Sequence, residues 1–160
     1  MVGCVTKEFI GRETSLEFAL VCDTDPESGS ITWLPIGALT SKSLSVAGNA
    51  VSVFADDSGE FDPSILANKA LEITAEGISR RVDDTLANQV TLFLHYANSS
   101  EGMQPNVMIR YTRPDVTLVT YMLITDMSPS DPSDTNSTFA LSLTRAPSAF
   151  APHWSLTPQP

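Results

Sequence analysis

Hydrophobic and polar positions along most of this chain alternate with a period of two. Phe139, Leu141 and Leu143 fall on one face, with Thr138, Ala140, Ser142 and Thr144 on the other. That spacing predicts a strand with one side against a core. Leu16, Phe18, Leu20 and Cys22 alternate in the same way with Glu17, Ala19 and Val21, as do Leu71, Ile73 and Ala75, after which Gly77 predicts a bulge before Ile78. Leu44, Val46, Val51 and Val53 predict a strand region bulged or interrupted at Gly48-Asn49, and Ile31 to Pro35 a short strand around Trp33. Val107, Ile109 and Tyr111 open a further strand that Arg113-Pro114-Asp115 turns back on itself. Asp62-Pro63 has the form of the start of a single helical turn.

Two segments depart from this pattern. Leu118, Val119, Tyr121, Met122, Leu123 and Ile124 put apolar side chains on both faces of one strand. A small domain has one core, so the second face is expected to be covered from outside the chain. The other segment is helical. Leu86, Val90, Phe93, Leu94 and Ala97 follow at i, i+4, i+7, i+8 and i+11, one apolar stripe for packing on a sheet. Asp83 or Asp84 can cap its start, and Asn98 with Gly102 can end it. The sum is a mainly β fold, a β-sandwich or partly open barrel with one flanking α-helix. It spans residues 1–146 as a single domain, which suits a chain of 160 residues. Residues 147–160 form a Pro-rich tail holding Pro147, Pro152, Pro158 and Pro160, with Phe150, Trp154 and Leu156 between them. Docking on its own domain and docking on a neighbouring copy both suit its aromatic residues.

Charge narrows the classes of partner. Nine Lys and Arg against nineteen Asp and Glu give a net charge of −10, and Arg80-Arg81 is the one adjacent basic pair. Tight nucleic-acid binding needs clustered cations, so a DNA-binding role is not expected. Acidity instead keeps a protein soluble or presents a repulsive wall to phosphates. Charged residues make up only 18%, which leaves neutral surface for subunit contact. Cys4 and Cys22 show neither a disulfide framework nor metal spacing. No leader-like run opens the sequence and no stretch approaches the ~20 apolar residues of a membrane helix. Folding in a reducing cytoplasm is expected, where the sequons at Asn98 and Asn136 are chance matches.

Catalytic motifs are missing: no G-x-S-x-G, P-loop or G-x-G-x-x-G occurs. His95 lies on the predicted helix and His153 in the Pro-rich tail, neither in a setting that holds a general base. Asp56-Asp57 and Asp83-Asp84 are adjacent, so a strand would point each pair to opposite faces. Asp23-Thr24-Asp25-Pro26-Glu27 has the opening of a calcium loop, but Ser28 and Leu34 stand where the glycine and the closing acid belong. No catalytic residue, cofactor or metal is expected.

Three stretches carry a resemblance. Trp33 precedes Gly37-Ala38-Leu39-Thr40-Ser41-Lys42-Ser43-Leu44-Ser45. Asp56-Asp57-Ser58-Gly59 precedes Lys69-Ala70-Leu71-Glu72-Ile73-Thr74-Ala75-Glu76-Gly77. Leu123-Ile124-Thr125-Asp126-Met127-Ser128 precedes, after a polar gap, Ser137-Thr138-Phe139-Ala140-Leu141-Ser142-Leu143. In order and spacing, Trp33 to Arg145 resembles the major tail tube protein of long-tailed, lambda-like bacteriophages. The resemblance implies a tail-tube-like β-sandwich with a flanking helix, assembled as hexameric rings stacked into a conduit for genome delivery, with no catalysis. It implies tape measure, tail tip and terminator proteins as partners, DNA only in transit through the lumen, no membrane, assembly in the host cytoplasm and residence in the virion tail. Six chains at −10 carry −60 per ring, a charge that repels DNA from the wall. Subunit contacts are expected from the 55–64 loop, through Asp56, Asp57, Ser58, Glu60 and Phe61, and from Phe150 and Trp154 in the tail. The rival readings are a tail terminator or neck ring, which stops at one ring, a tube-forming subunit of a contractile secretion system, and a ligand-binding β-sandwich. The last wants aromatics clustered on one face, whereas the two Trp and three Tyr are scattered.

Overall fold

The computed structural model describes residues 10–53, 63–79 and 84–158. Eight strands and one helix follow in the order β1 (Ser15–Ala19), β2 (Leu34–Pro35), β3 (Leu39–Ser52), β4 (Ser64–Ile78), α1 (Asp84–Ala97), β5 (Asn106–Thr112), β6 (Val116–Ser130), β7 (Thr138–Arg145) and β8 (His153–Leu156). All pairings are antiparallel, in one sheet ordered β2-β1-β5-β6-β7-β4-β3, with β8 joined to β6. β6 is the shared strand. Its first half, from Thr117 to Leu123, pairs with β5, and its second half, from Met122 to Ser130, pairs with β7. Thr125, the extra residue between Ile124 and Asp126, bulges between the halves; such a residue bends a strand. The sheet therefore folds over one core. Leu16 and Phe18, Ile73, Val107 and Ile109, Leu118 and Met122, Leu141 and Leu143, and Leu92 of the helix are buried together there.

Alternation was a sound guide in β7 and in the 71–77 part of β4, where every second residue is buried. Elsewhere the chain departs from its pattern. β1 stops at Ala19, and Leu20 and Cys22 are exposed, because the backbone turns away to a left-handed Asp23 (φ 52°). Residues 31–33 are not strand, and only Leu34–Pro35 pair with β1. The bulge near Gly77 belongs to β3, at Thr40. Gly77 is required for another reason, since a Cβ there would lie 2.8 Å from the Ala38 carbonyl and 2.9 Å from the Phe139 ring. The second bulge opposes Asn49 and Ala50 but its extra residue, Ala67, is on β4. Asp62 lies outside the described residues, and the expected helical turn after Pro63 is instead extended strand from Ser64, with the Val53 N–H donating to the Pro63 carbonyl.

The second face of β6 overturns an expectation. Val119 and Tyr121 are buried, and their cover comes from the same chain. Met108 and Ala19 lie beside them, Val21, Ile31, Trp33 and Leu123 pack around, and Ala146 and Phe150 close the far side. The Tyr121 hydroxyl accepts from the Thr24 N–H and donates to the Thr24 carbonyl, both at 2.8 Å, which pins the 20–33 loop over this small second core. Phe150 stacks on Tyr121 at 6.4 Å, and the Phe150 carbonyl accepts from Arg145. β8 then pairs with Val116–Val119 of β6.

Candidate assembly interface

The second half of β6 with β7, β4 and β3 forms a four-stranded layer whose register sorts its residues by face. Ile124, Leu143, Ile73 and Leu44 make one row on the core side. Three rows lie on the other side: Ser128, Ala140, Glu76 and Ser41; Asp126, Ser142, Thr74 and Ser43; and Leu123, Thr144, Glu72 and Ser45. Apart from Leu123, small hydroxyl and methyl side chains and three carboxylates, Asp126, Glu72 and Glu76, form this second face, and none of the residues in these rows is Lys or Arg. The hydroxyl of Ser128 donates to Asp126 at 2.7 Å. Serine and threonine dominate a wide face that remains wet and acidic.

Both edges of this layer are unpaired among the described residues. β3 has β4 on one side only, and β6 beyond Thr125 has β7 on one side only, the Ile124 N–H donating to the Pro105 carbonyl and the Thr125 carbonyl accepting from Tyr96. Open edges of this length invite pairing with another chain. The β3–β4 pair also runs past the rest of the sheet, so that 45–53 and 63–70 are exposed on both faces with Val46, Val51, Val53, Ile65 and Leu66 among them. A two-stranded ribbon is marginal in water on its own, and five large apolar side chains on it call for a covering surface.

The helix carries a further apolar face, and here the sequence pattern pointed the wrong way. Val90, Phe93 and Leu94 are 44%, 36% and 50% exposed, and Ala97 is exposed too; the Leu86 side chain is outside the described set. The buried face holds Asn88, Gln89 and Leu92. At ~100° per residue the two faces are roughly opposite. Polar groups turn inward because strand ends leave carbonyls for them. Asn88 donates to the Pro35 carbonyl at 3.0 Å, and Gln89 to those of Gly37 at 3.0 Å and Ile78 at 3.3 Å. Tyr96 donates to the Thr125 carbonyl at the β6 bulge. The helix is thereby fixed along the open edge of β6, and a groove of about 220 Å³ lies between them, lined by Val90, Phe93, Met127, Pro129 and Phe139.

Of the residues expected at subunit contacts, Asp56, Asp57, Ser58, Glu60 and Phe61 lie outside the described residues. Phe150 is half-buried on Tyr121. Trp154 is 43% exposed beside a gap lined by Val46, Lys69, Leu71, Arg145 and Pro152, and Leu156 is 87% exposed. Expectation from sequence missed the helix face, whose signal was its lack of charge: Thr85 to Ala97 contain no Asp, Glu, Lys or Arg. The histidines are apart. His95 Nε2 lies 3.0 Å from the Asn106 carbonyl, and His153 Nδ1 3.0 Å from Glu27. Burial pushes the Tyr111 phenol above its ordinary value of 10, with the nearby Arg113 charge pulling it down, but the group sits in the core of β5. Among the described residues no group of three or more His, Cys, Asp or Glu side chains is placed to hold a metal ion.

No family model and no curated protein matches this chain. Solved structures do. A chain from the tail of the empty gene transfer agent particle, refined with helical C6 symmetry, is 15% identical with a TM-score of 0.64 over 94% of this chain and 100% of that one. The SPP1 tail tube subunit is 15% identical with a TM-score of 0.58, over 86% and 75%. A chain of the six-fold symmetrised anti-feeding prophage baseplate is 10% identical with a TM-score of 0.55, over 94% and 97%. The fold expected from the sequence, mainly β with one helix and tail-tube-like, is the fold found.

Proposed function

We propose that the protein is the structural subunit of a bacteriophage tail tube, forming hexameric rings that stack into the conduit for genome delivery. The observation that carries this reading is the four-stranded layer with two open edges and an acidic face free of Lys and Arg. An even number of alternating strands means that β3 of one copy meets β6 of the next running antiparallel, so the layer continues from copy to copy without a break in pattern. A head-to-tail contact of this kind closes into a ring when the rotation permits. Six copies of a four-stranded layer make a barrel of 24 strands. Six-fold symmetry is supported by the gene transfer agent tail and the prophage baseplate, whose chains share the fold.

The polar face becomes the lumen wall. Asp126, Glu72 and Glu76 from six copies supply eighteen carboxylates per ring. They repel phosphates within a Debye length of ~8 Å, while serine and threonine hydroxyls keep the wall wet, so DNA passes without adhering. The ribbon formed by 45–53 and 63–70 runs past the layer and is suited to contact the adjacent ring, which favours a stacking tube over a terminator that stops at one ring. Tape measure, tail tip and terminator proteins are the partners this role requires, with assembly in the host cytoplasm, residence in the virion and no catalytic step.

Electron microscopy of the purified protein, with its mass distribution measured in solution, tests this. Hollow tubes or rings that stack as concentration rises are the expected result. Rings that never stack would move the protein to a terminator or neck position. Monomers inert even toward tail-tip complexes would exclude the tube and leave a binding module.

A further inference from the structure

We infer that α1 is the clamp of the ring seam: its outward apolar stripe, with the groove beside β6, covers the core-side face of β3 from the neighbouring copy. The inference rests on the tube reading above and adds to it a specific surface and a specific occupant.

A helix on the outside of a monomer turns charged and polar side chains to water. In α1 the exposed positions include Val90, Phe93, Leu94 and Ala97, and the stretch from Thr85 to Ala97 has no carboxylate, ammonium or guanidinium. The polar side chains Asn88, Gln89 and Tyr96 are instead committed to backbone carbonyls of the same chain. With the buried Leu92, those bonds fix α1 on its own chain, the Tyr96 bond being the one to β6, and Val90, Leu94, Ala97 and the exposed part of Phe93 remain at the surface.

The position of the stripe selects the occupant. Tyr96 is bonded at Thr125, and the groove reaches Met127, Pro129 and Phe139. The groove thus lies on the core side of β6 and β7, next to the stretch of β6 that β5 has already left and whose edge is open. A strand added there lies on the lumen side of the helix and presents its core-side residues to it. β3 offers Leu44 and Val46 on that side, in register with Ile73 and Leu71, and Val46 is exposed in the single chain. Pairing of the two open edges brings the core-side residues of β3, Leu44 and Val46 among them, to the helix side of the seam in the next copy. One chain supplies both halves of the interface, as a heterologous ring contact requires.

Two variants test the clamp. Phe93→Asp alters an exposed position and is expected to leave the monomer folded by circular dichroism while ring formation falls at least tenfold in concentration dependence. Tubes formed at wild-type concentration by this variant, with the wild type also forming tubes, would overturn the clamp and leave the conduit reading intact. A wild-type chain that never forms rings would overturn both. The second variant places Val46→Cys and Phe93→Cys in a Cys4→Ser, Cys22→Ser background. Treatment of assembled tubes with a short bismaleimide should give a ladder of covalent oligomers ending at the hexamer. Links confined to single chains, or to pairs between stacked rings, would place β3 elsewhere and refute the clamp.

Discussion

β7 and α1 are both amphipathic by sequence, and they use their apolar sides in opposite ways. In β7, Phe139, Leu141 and Leu143 point into the core of their own chain, and the Ser and Thr face is the wet one. In α1 the apolar stripe points outward, and the side facing the core carries Asn88 and Gln89 around one Leu92. Amphipathicity reports that a face must be covered, not which chain covers it. Folding orients β7 because its two edges are both paired, with β4 and β6. In the helix, three hydrogen bonds from Asn88 and Gln89 to strand-end carbonyls, beside the buried Leu92, set its rotation.

The sharpest break of this comparison sets Leu141→Asp against Phe93→Asp. Leu141 is fully enclosed, and a carboxylate there would be buried without a partner, at a cost beyond about 4 kcal/mol. That is comparable with the whole stability of a domain, so no cooperative thermal transition should be seen. The same substitution at Phe93, which is 36% exposed, should cost the monomer about 1–2 kcal/mol, leave it folded, and act chiefly on assembly. A folded Leu141→Asp chain would contradict the β7 assignment. A Phe93→Asp chain that unfolds would mean the stripe serves its own core after all.

Removal of residues 147–160 comes next in size. These residues supply Phe150 over Tyr121 and the β8 pairing along Val116–Val119. Their loss uncovers the second core, and about 3 kcal/mol of stability should go with it, from the burial of one aromatic and several apolar side chains. Denaturant unfolding checks this. A truncated chain as stable as the full one would assign the segment to intersubunit contact alone.

A third substitution tests the inward polar face of the helix. By hydropathy, Gln89→Leu should improve a buried helix position. Gln89 is the donor to both the Gly37 and the Ile78 carbonyls, and Leu would leave these without that partner. The expected result is a loss of about 1–3 kcal/mol, read from the same unfolding curves. A gain would show that packing, not hydrogen bonding, orients α1.

These cases also explain what could be read in advance. Wherever a strand contacts one core, as at Leu71, Ile73 and Ala75 or Phe139, Leu141 and Leu143, the period of two is a direct record of burial. β6 lost that record by serving two cores, and its cover comes from segments far along the chain, the 20–33 loop and the stretch ending at Phe150. No periodicity within β6 can reveal such a partner, so its second face looked like a subunit contact. α1 failed for the converse reason, since buried amides look like surface until their carbonyl partners are known. The acidic face became visible only through register: Asp126 follows a bulge that shifts its side relative to Ile124, so counting along the strand misplaces it.

The smallest effect is expected at the hydroxyl that closes the second core. Tyr121→Phe keeps the ring against Phe150 and removes the two bonds to Thr24. Thr24 is near the surface, so water can replace much of what is lost, and the net cost should be about 1 kcal/mol, or roughly 2–4 °C in Tm for a chain of this size. The informative readout is where that loss appears. If the 20–33 loop is a lid on β6, amide exchange should quicken there and at Val119 while β7 and β4 keep their protection. Faster exchange across β7 as well would mean that the two cores unfold as one, and that the second face of β6 is as central to the domain as the first.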